Sequence, residues 1–477
     1  MRRVILILFF ILFSYSFVYS QIGPAWIARY NGPDNWSDAA SAIAIDSSGN
    51  VFVTGTSQSF WTNSDFLTIK YYPDGETAWT RRYNSPGDLE DYATAITVDA
   101  SSNVYVSGYA YPIGWPKADF LTLKYDSSGN LLWTKTYDGP GRDDDRAHAI
   151  AVDSKGNVYV TGETYNTTTS LDYLTIKYYS NGDTAWVRTY SWGSYWGESG
   201  YAFAFDSSGN VYVTGSPGTI KYGPNGNLIW ARPCGGMNIV LDDRDNIYLS
   251  GTCGTVKYDT DGNQLWIGTW GGFDFSVDDS GDVFFTTPVR DSSGTGDDYL
   301  TGKYDRIGNL VWLKRYNGPG NYHDWPFHLA LDDSNNVYVT GYSYGMGTGN
   351  DYATIKYDQA GNEIWVKRYN GPGNSVDDAT GLVVDRSGSV YVTGWSVGRG
   401  TSSDFATIKY VHLHGDANGD KELSISDVIY LINYLFKYGP PPNSVQEADC
   451  DCDGEVTISD IIFLINYLFK GGPSPVC

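Results

Sequence analysis

Positive charge is scarce in this sequence: 32 Lys and Arg stand against 55 Asp and Glu, for a formal net charge of −23 and a pI near 4.4. Nucleic acid and anionic lipid are polyanions that such a chain repels, so neither is expected as a partner. His is also rare, with five scattered residues, and there is no nucleophile elbow, His-rich metal motif or phosphate-binding loop. No catalytic constellation stands out. Beyond the first twenty residues no apolar run is long enough to span a bilayer, so no membrane insertion is expected. The early run, Val4 to about Phe13 after Arg2 and Arg3 and followed by Val18, Tyr19 and Ser20, is short for a spanning helix. It reads as a secretory signal peptide over residues 1–20, cut after Ser20, which makes the expected product soluble and extracellular.

What the sequence has in abundance is a repeat. The stretch Asp332 to Gly373, DDSNNVYVTGYSYGMGTGNDYATIKYDQAGNEIWVKRYNGPG, recurs through nearly all of the chain up to Tyr410. Each copy holds four short runs: one ending in Asp, one reading VYVTG, one reading TIKY, and one opening with Trp. Each alternates or is β-branched and aromatic, so each predicts a strand. The links of type DSSGN supply the left-handed Gly of a tight hairpin. The strand-ending Asp recurs at Asp46, Asp99, Asp153, Asp206, Asp242, Asp278, Asp332 and Asp385, which makes eight copies. Lys70, Lys124, Lys177, Lys221, Lys257, Lys303, Lys356 and Lys409 keep step with it, as do Trp26, Trp79, Trp133, Trp186, Trp230, Trp266, Trp312 and Trp365. Invariance of the Asp and Lys across the repeat points to hairpin turn bonding or an Asp–Lys pair beside it, not to chemistry.

The phase of the repeat predicts a closed ring. The chain begins with a lone fourth strand, PAWIARYNGP from Pro24, and the last copy lacks its fourth strand. The two fragments complete one blade and leave no free sheet edge, so residues 21–410 are expected to form an all-β, eight-bladed, monomeric β-propeller. These phrases resemble the secreted bacterial β-propeller repeat family, a likeness that implies the fold and says little about function.

In a propeller the links between blades and those between second and third strands share one face. Trp36, Trp192, Trp196 and Trp325 are expected in the first kind of link, and Trp61, Trp115 and Trp395 in the second, while Trp270 replaces a repeated Tyr. Such aromatics either hold a sugar or peptide ligand or pad the loops against each other. Eight residues before the strand-ending Asp stand Asp38, Asp91, Asp145, Glu198, Asp324 and Asp377, with Cys234 and Trp270 in the remaining copies. These carboxylates are expected round the channel mouth, holding a cation or a polyhydroxylated ligand, or else accepting hydrogen bonds from loop backbone.

Asp206 to Asp242 and Asp242 to Asp278 are 36 residues apart where the other spacings are 53 or 54. The links SPG and TCG are cut short there. Cys234 and Cys253 fall beside this notch, and a disulfide between them would stabilise by roughly 2 to 4 kcal/mol.

After Tyr410 the pattern changes. DANGDKELSISD from Asp416 and DCDCDGEVTISD from Asp449 place oxygen side chains at the first, third, fifth, ninth and twelfth positions of a calcium-binding loop. Each loop leads into an apolar helix, VIYLINYLFK or IIFLINYLFK, expected to stop at Gly439 and Gly471. With Asp in the twelfth position and no preceding helix expected, residues 411–477 resemble the type I dockerin, a small all-α calcium-binding module that binds cohesin modules on other proteins. The resemblance implies two calcium ions. Asp416, Asn418, Asp420, Ser424 and Asp427 would hold one, and Asp449, Asp451, Asp453, Thr457 and Asp460 the other, with Glu422 and Glu455 giving backbone carbonyls. Lys421 stands where the second loop has Gly454. Partner contact would centre on Ile425, Ser426, Ile458 and Ser459, which depart from the small hydroxyl residues usual at those places. Some of Tyr430, Tyr434, Phe463 and Tyr467 is also expected to be kept for the partner. Cys450, Cys452 and Cys477 leave one odd thiol, and Cys477 could pair with either of the others.

The leading functional expectation is a non-catalytic recognition propeller, attached through its dockerin to a cohesin-bearing complex or surface. The alternatives are a dockerin-tethered polysaccharide-degrading enzyme, a glycosidase or lyase with a rim carboxylate pair, and a structural surface or adhesion component.

Overall fold

The computed structural model describes residues 21–477 apart from 113–116, 142, 194–196, 252, 291–293, 295, 421–422, 443, 473–474 and 476–477. The expected signal peptide, Trp115, Trp196, Lys421, Glu422 and Cys477 lie outside the described residues. The chain divides into two compact units, Pro24–Tyr410 and, with the residues up to Gly23, Val411–Cys477.

The first unit is an eight-bladed β-propeller. Eight antiparallel four-stranded sheets follow one another, and in seven the strand order is the chain order. Blade 1 is Asp38–Ile45, Val51–Ser59, Asn63–Tyr71 and Thr77–Tyr83. Blade 8 takes Asp377–Val384, Val390–Val397 and Ser403–Leu413 from the end of the repeat array, and its fourth strand, Gln21–Tyr30, from the beginning. First strands of successive blades touch one another all the way round, from blade 1 to blade 8 and back, so they line the centre.

The repeated phrases build this geometry directly. At the first hairpin of blade 1 the Asp46 carboxylate accepts from the backbone N–H groups of Ser48 and Asn50 at 2.9 Å each and from the Asn50 amide at 2.8 Å. Gly49 takes the left-handed conformation that closes the turn, with φ of 78°. The Gly of VYVTG has a different reason. A Cβ on Gly55 would stand 2.0 Å from the Ala39 carbonyl oxygen, because a bulge between Ala40 and Ala42 pushes the first strand against it.

Neighbouring blades are joined by apolar packing and by repeated polar contacts. Phe52, Phe66 and Trp79 of blade 1 pack on Val104, Val106, Leu121 and Leu123 of blade 2. Below them Lys70 Nζ and Trp79 Nε1 both donate to the Ser127 carbonyl of the next blade, at 3.2 Å each. Lys124 and Trp133 treat the Ser180 carbonyl likewise at 3.1 and 3.3 Å. Turn bonding of the strand-ending Asp recurs round the ring, and the Asp–Lys pair forms in several blades, as between Lys257 and Asp242 at 3.3 Å.

The second unit holds helices α1 (Ile425–Lys437), α2 (Val445–Ala448) and α3 (Ile458–Lys470). Ser424 and Thr457 are the N-caps of α1 and α3, in matching capping boxes with Asp427 and Asp460. Val428 and Leu431 of α1 meet Ile461 and Leu464 of α3 in one buried core. Two expectations need correction. A one-turn helix, α2, does precede the second loop. And α1 ends two residues before Gly439, at Lys437, with Tyr438 as its cap in the left-handed conformation at φ of 57°.

Candidate functional site

The six repeated acids begin, or immediately precede, the first strand of their blades, and all are 0% exposed. Each accepts from backbone six residues earlier: Gly32, Gly318 and Gly371 donate to Asp38, Asp324 and Asp377 at 2.6 Å, and Trp192 donates to Glu198 at 2.7 Å. Ser85 gives Asp91 both its N–H and its hydroxyl at 2.6 Å. Asp145 receives Gly139 N–H and, at 3.2 Å, Tyr165 N–H. These carboxylates therefore fasten the links between blades from within and do not present themselves to a ligand in the channel mouth. Burial pushes the Asp91 carboxyl up to about 6, against the Ser85 donors.

A second polar feature, not foreseen from sequence, lies further out, between third and fourth strands. Arg29, Arg82, Arg315 and Arg368 in fourth strands ion-pair with the third-strand carboxylates of Asp404, Asp65, Asp298 and Asp351. The signal was legible as RY or KRY at the end of one strand against DF or DY at the start of another.

The loop aromatics divide. Trp61 is 81% exposed and Trp36 is 44% exposed, and between them lies Phe60, 63% exposed. The Phe60 ring meets Trp61 edge-on at 5.0 Å and Trp36 at 6.1 Å, making a stiff aromatic ledge. Phe60 was missed in the sequence. The Asp34 carboxylate holds the Phe60 N–H at 2.9 Å and so fixes the ledge's backbone. Trp325 and Trp395 are not in links. They lie within the strands Asp324–Leu331 and Val390–Val397, opposite Tyr342 and Asp378, because pairing continues past the repeated phrases. Both are half-buried, and Trp325 packs on Phe273 of the preceding blade at 5.6 Å. Trp192 is half-buried against Tyr190, with ring centres 5.0 Å apart. Trp270 is half-buried too, with its N–H on the Tyr304 hydroxyl at 2.7 Å. Cys234 and Cys253 form a disulfide with Cα atoms 6.0 Å apart.

In the helical unit, oxygens of Asp416, Asp420 and Asp427 lie within 4.8 Å of one another, and so do those of Asp449, Asp451 and Asp453. Asp427 and Asp460 are fully buried at the far end of each loop. Burial, and then the like charges of Asp416 and Asp420, raise Asp427 to about 6. Asp451 Oδ1 is buried with no hydrogen-bond partner among the described residues. Asn418 Nδ2 bonds Asp420 at 2.8 Å, and Glu455 donates its backbone N–H to Asp453 at 2.9 Å. Such a donor set, all hard oxygen and mutually repelling, fits a calcium ion. Cys450 is a buried free thiol, whereas Cys452 is disulfide-bonded.

On the outside of α1, Ile425, Ile429 and Phe436 are exposed, and on α3 the same places carry exposed Ile458, Ile462 and Phe469. Offsets of four and eleven return to one side of a helix, so each helix bears one apolar row. Ser426 and Ser459 stand beside Ile425 and Ile458 with their hydroxyls on the N-cap oxygens, at 2.7 and 2.6 Å. Tyr430, Phe463 and Tyr467 pack against the core and do not join these rows; Tyr434 is likewise half-buried.

The fold and these loops define a modular protein, an eight-bladed propeller carrying a helical module with paired EF-hand-like loops. Residues 414–469 match the family Dockerin type I domain, and residues 25–60, 136–167, 311–346 and 364–399 match the family Beta-propeller repeat. The chain is a β-propeller repeat protein with a C-terminal type I dockerin domain.

Among curated proteins it is 29% identical to an uncharacterized WD repeat-containing protein of Acanthamoeba polyphaga mimivirus, over 26% of this chain and 11% of that one. This chain thus matches about a tenth of that relative's length. Among solved structures it is similar to a protein of unknown function from Bacteroides caccae, at 11% identity and a TM-score of 0.35 over 55% of this chain and 93% of that one. A Dyadobacter fermentans protein of unknown function matches at 8% and 0.39, over 82% and 99%. PorZ, a surface component of the type-IX secretion system of Porphyromonas gingivalis, matches at 13% and 0.33, over 71% and 51%. Likeness at these scores carries no functional weight. No helix among the described residues is long and apolar enough to cross a membrane.

Proposed function

We propose that this chain is an exported recognition protein, whose dockerin fixes it to a cohesin module on another protein while the propeller binds a glycan at the Trp36–Phe60–Trp61 ledge. The ledge is the observation that carries the recognition half. Three aromatic rings stand out of the loop face, held edge to edge and anchored through the Asp34 carboxylate, and flat rigid apolar area of this kind suits the face of a sugar ring. The tethering half rests on the dockerin. Two calcium ions would lie in its loops, held by the acids named above with Asn418, Ser424 and Thr457 and the carbonyls of Glu422 and Glu455. When bound, each ion neutralises its clustered carboxylates and fixes the turn into the helix. The matching rows of Ile425, Ile429 and Phe436 and of Ile458, Ile462 and Phe469 suit a cohesin surface met in either of two orientations.

No observation specifically favours a polysaccharide-degrading enzyme: no catalytic pair was assigned among the rim carboxylates, and the six repeated acids are buried and engaged by loop backbone. Affinity electrophoresis through a panel of soluble polysaccharides tests the glycan reading. At least one polysaccharide should retard the parent and not Trp61→Ala; no retardation by any of them overturns it.

A further inference from the structure

The aromatic ledge of blade 1 has a counterpart two blades back round the ring. Trp36 stands two residues before the buried Asp38, and Phe60 stands five past Gly55, the Gly that closes the repeated VTG phrase. In blade 7 the same two places carry Tyr322 and Met346, counted from Asp324 and Gly341. Both are exposed, as is Tyr344, whose ring meets Tyr322 edge-on at 5.3 Å. The Asp324 carboxylate accepts the Tyr344 N–H at 3.0 Å, so this second ledge also has its backbone fixed by an acid.

Blade 8, between them, is cut down at both places. It carries Ser375 and Arg399 there, with no aromatic ring at either. Its segments are bonded to both neighbours. Asn374 Nδ2 donates to the Gly347 carbonyl of blade 7 at 3.3 Å, Ser402 donates its N–H to the Asn35 carbonyl at 3.3 Å, and the Ser37 and Ser403 hydroxyls stand 2.5 Å apart. The two ledges are thus held at a fixed separation. Packed sheets lie about 10 Å apart, so two blade steps put the ledges roughly 20 Å from one another, farther than a disaccharide reaches.

The gap has a chemistry of its own. Arg399 is exposed and, among the described residues, pairs with no carboxylate. Its planar guanidinium carries several N–H donors, which suit the hydroxyl and ring oxygens of a sugar. A polyanionic chain is disfavoured by the protein's own net charge of −23, which one arginine does not offset.

We infer that the Trp36–Phe60–Trp61 ledge is one end of an extended site, in which a long neutral polysaccharide crosses blades 1, 8 and 7, stacking on both ledges and accepting hydrogen bonds from Arg399 between them. The inference rests on the glycan reading of the first ledge and adds the ligand's length, its neutrality and its path. A polymer gains affinity over a short fragment because its second contact is made by a chain already held.

Calorimetric titration with a neutral polysaccharide that retards the parent, and with its disaccharide, tests this. The joint change Tyr322→Ala with Met346→Ala, and separately Arg399→Ala, should each weaken polymer binding about tenfold. The disaccharide, which one ledge holds, should still bind both variants. Arg399 has no partner to lose, so its variant keeps the fold even if loss of Tyr322 disturbs Tyr344. Polymer affinity equal to the parent's in either variant overturns the extended site and leaves the first ledge as it stands. Retardation by acidic polysaccharides alone overturns it too, and no retardation by any polysaccharide overturns both readings.

Discussion

Trp26, in the strand that enters the ring, and Lys409, in the strand that leaves it, donate to the same oxygen, the Pro73 carbonyl of blade 1, at 3.0 and 3.3 Å. Every other Lys and Trp that share an acceptor in this way are neighbours within one hairpin. Here they come from the two ends of the repeat array, so the contact exists only if the ring is shut. Deleting Pro24 to Pro33 should remove it with most of the fourth strand of blade 8 and destabilise the propeller as one cooperative unit. A calorimetric melt that matches the parent would sink the closure argument.

The buried acids give the propeller a pH dependence with a definite sign. Asp91 is held at about 6, mainly by burial. A carboxyl with a higher pKa folded than unfolded contributes its full stability below the unfolded value near 4 and loses it as pH rises through about 6. Asp91→Asn stays neutral throughout. Relative to the parent it should therefore gain up to about 3 kcal/mol between pH 3 and pH 7, read from urea midpoints at both. A difference that does not change with pH would mean that Asp91 titrates normally.

Replacing Trp61 by Ala should leave thermal stability within about 0.5 kcal/mol of the parent, because the side chain is almost wholly in solvent. Glycan affinity should fall by roughly 1 to 3 kcal/mol. Trp325→Ala is the contrasting case: its ring packs on Phe273, so stability falls first. If Trp61→Ala unfolds the protein instead, the ledge is packing.

The dockerin should tolerate loss of either apolar row and not of both. Changing Ile425 with Ser426, or Ile458 with Ser459, is expected to weaken cohesin binding little by calorimetric titration, and changing all four to eliminate it. Chelator should abolish binding and loosen the helical unit while sparing the propeller's melt. Loss of binding from one pair alone refutes the two-orientation idea.

Much of this was readable in the sequence, because a repeat states its rules eight times. The Asp46 turn, the Gly55 bulge contact and the Trp79 pair with Lys70 are local or one blade away, so their phrases carry them. Exposure is not local. Whether Trp395 sits in a link or inside a strand depends on how far pairing with Asp378 extends, and nothing in VYVTGW marks that limit. Exposure of Ile429 beside half-buried Tyr430 was hidden for a similar reason, since both are apolar and only the packing of α1 on α3 sorts them. Of the two roles expected for the repeated acids the structure has the backbone one: Gly32 and its counterparts, six residues upstream, donate to them.

The final blade lacks a hairpin between its third and fourth strands, and Trp365, the indole that would reach for it, has a buried N–H with no acceptor among the described residues. This seam also governs how the propeller bears load. The strand from which the chain continues, Ser403–Leu413, is not at the edge of its sheet but between Val390–Val397 and Gln21–Tyr30. A pull arriving along the dockerin must therefore shear two ladders of hydrogen bonds together, whereas an outermost strand could be peeled away one bond at a time. Under flow or drag the closing strand acts as a lock on the leaving one.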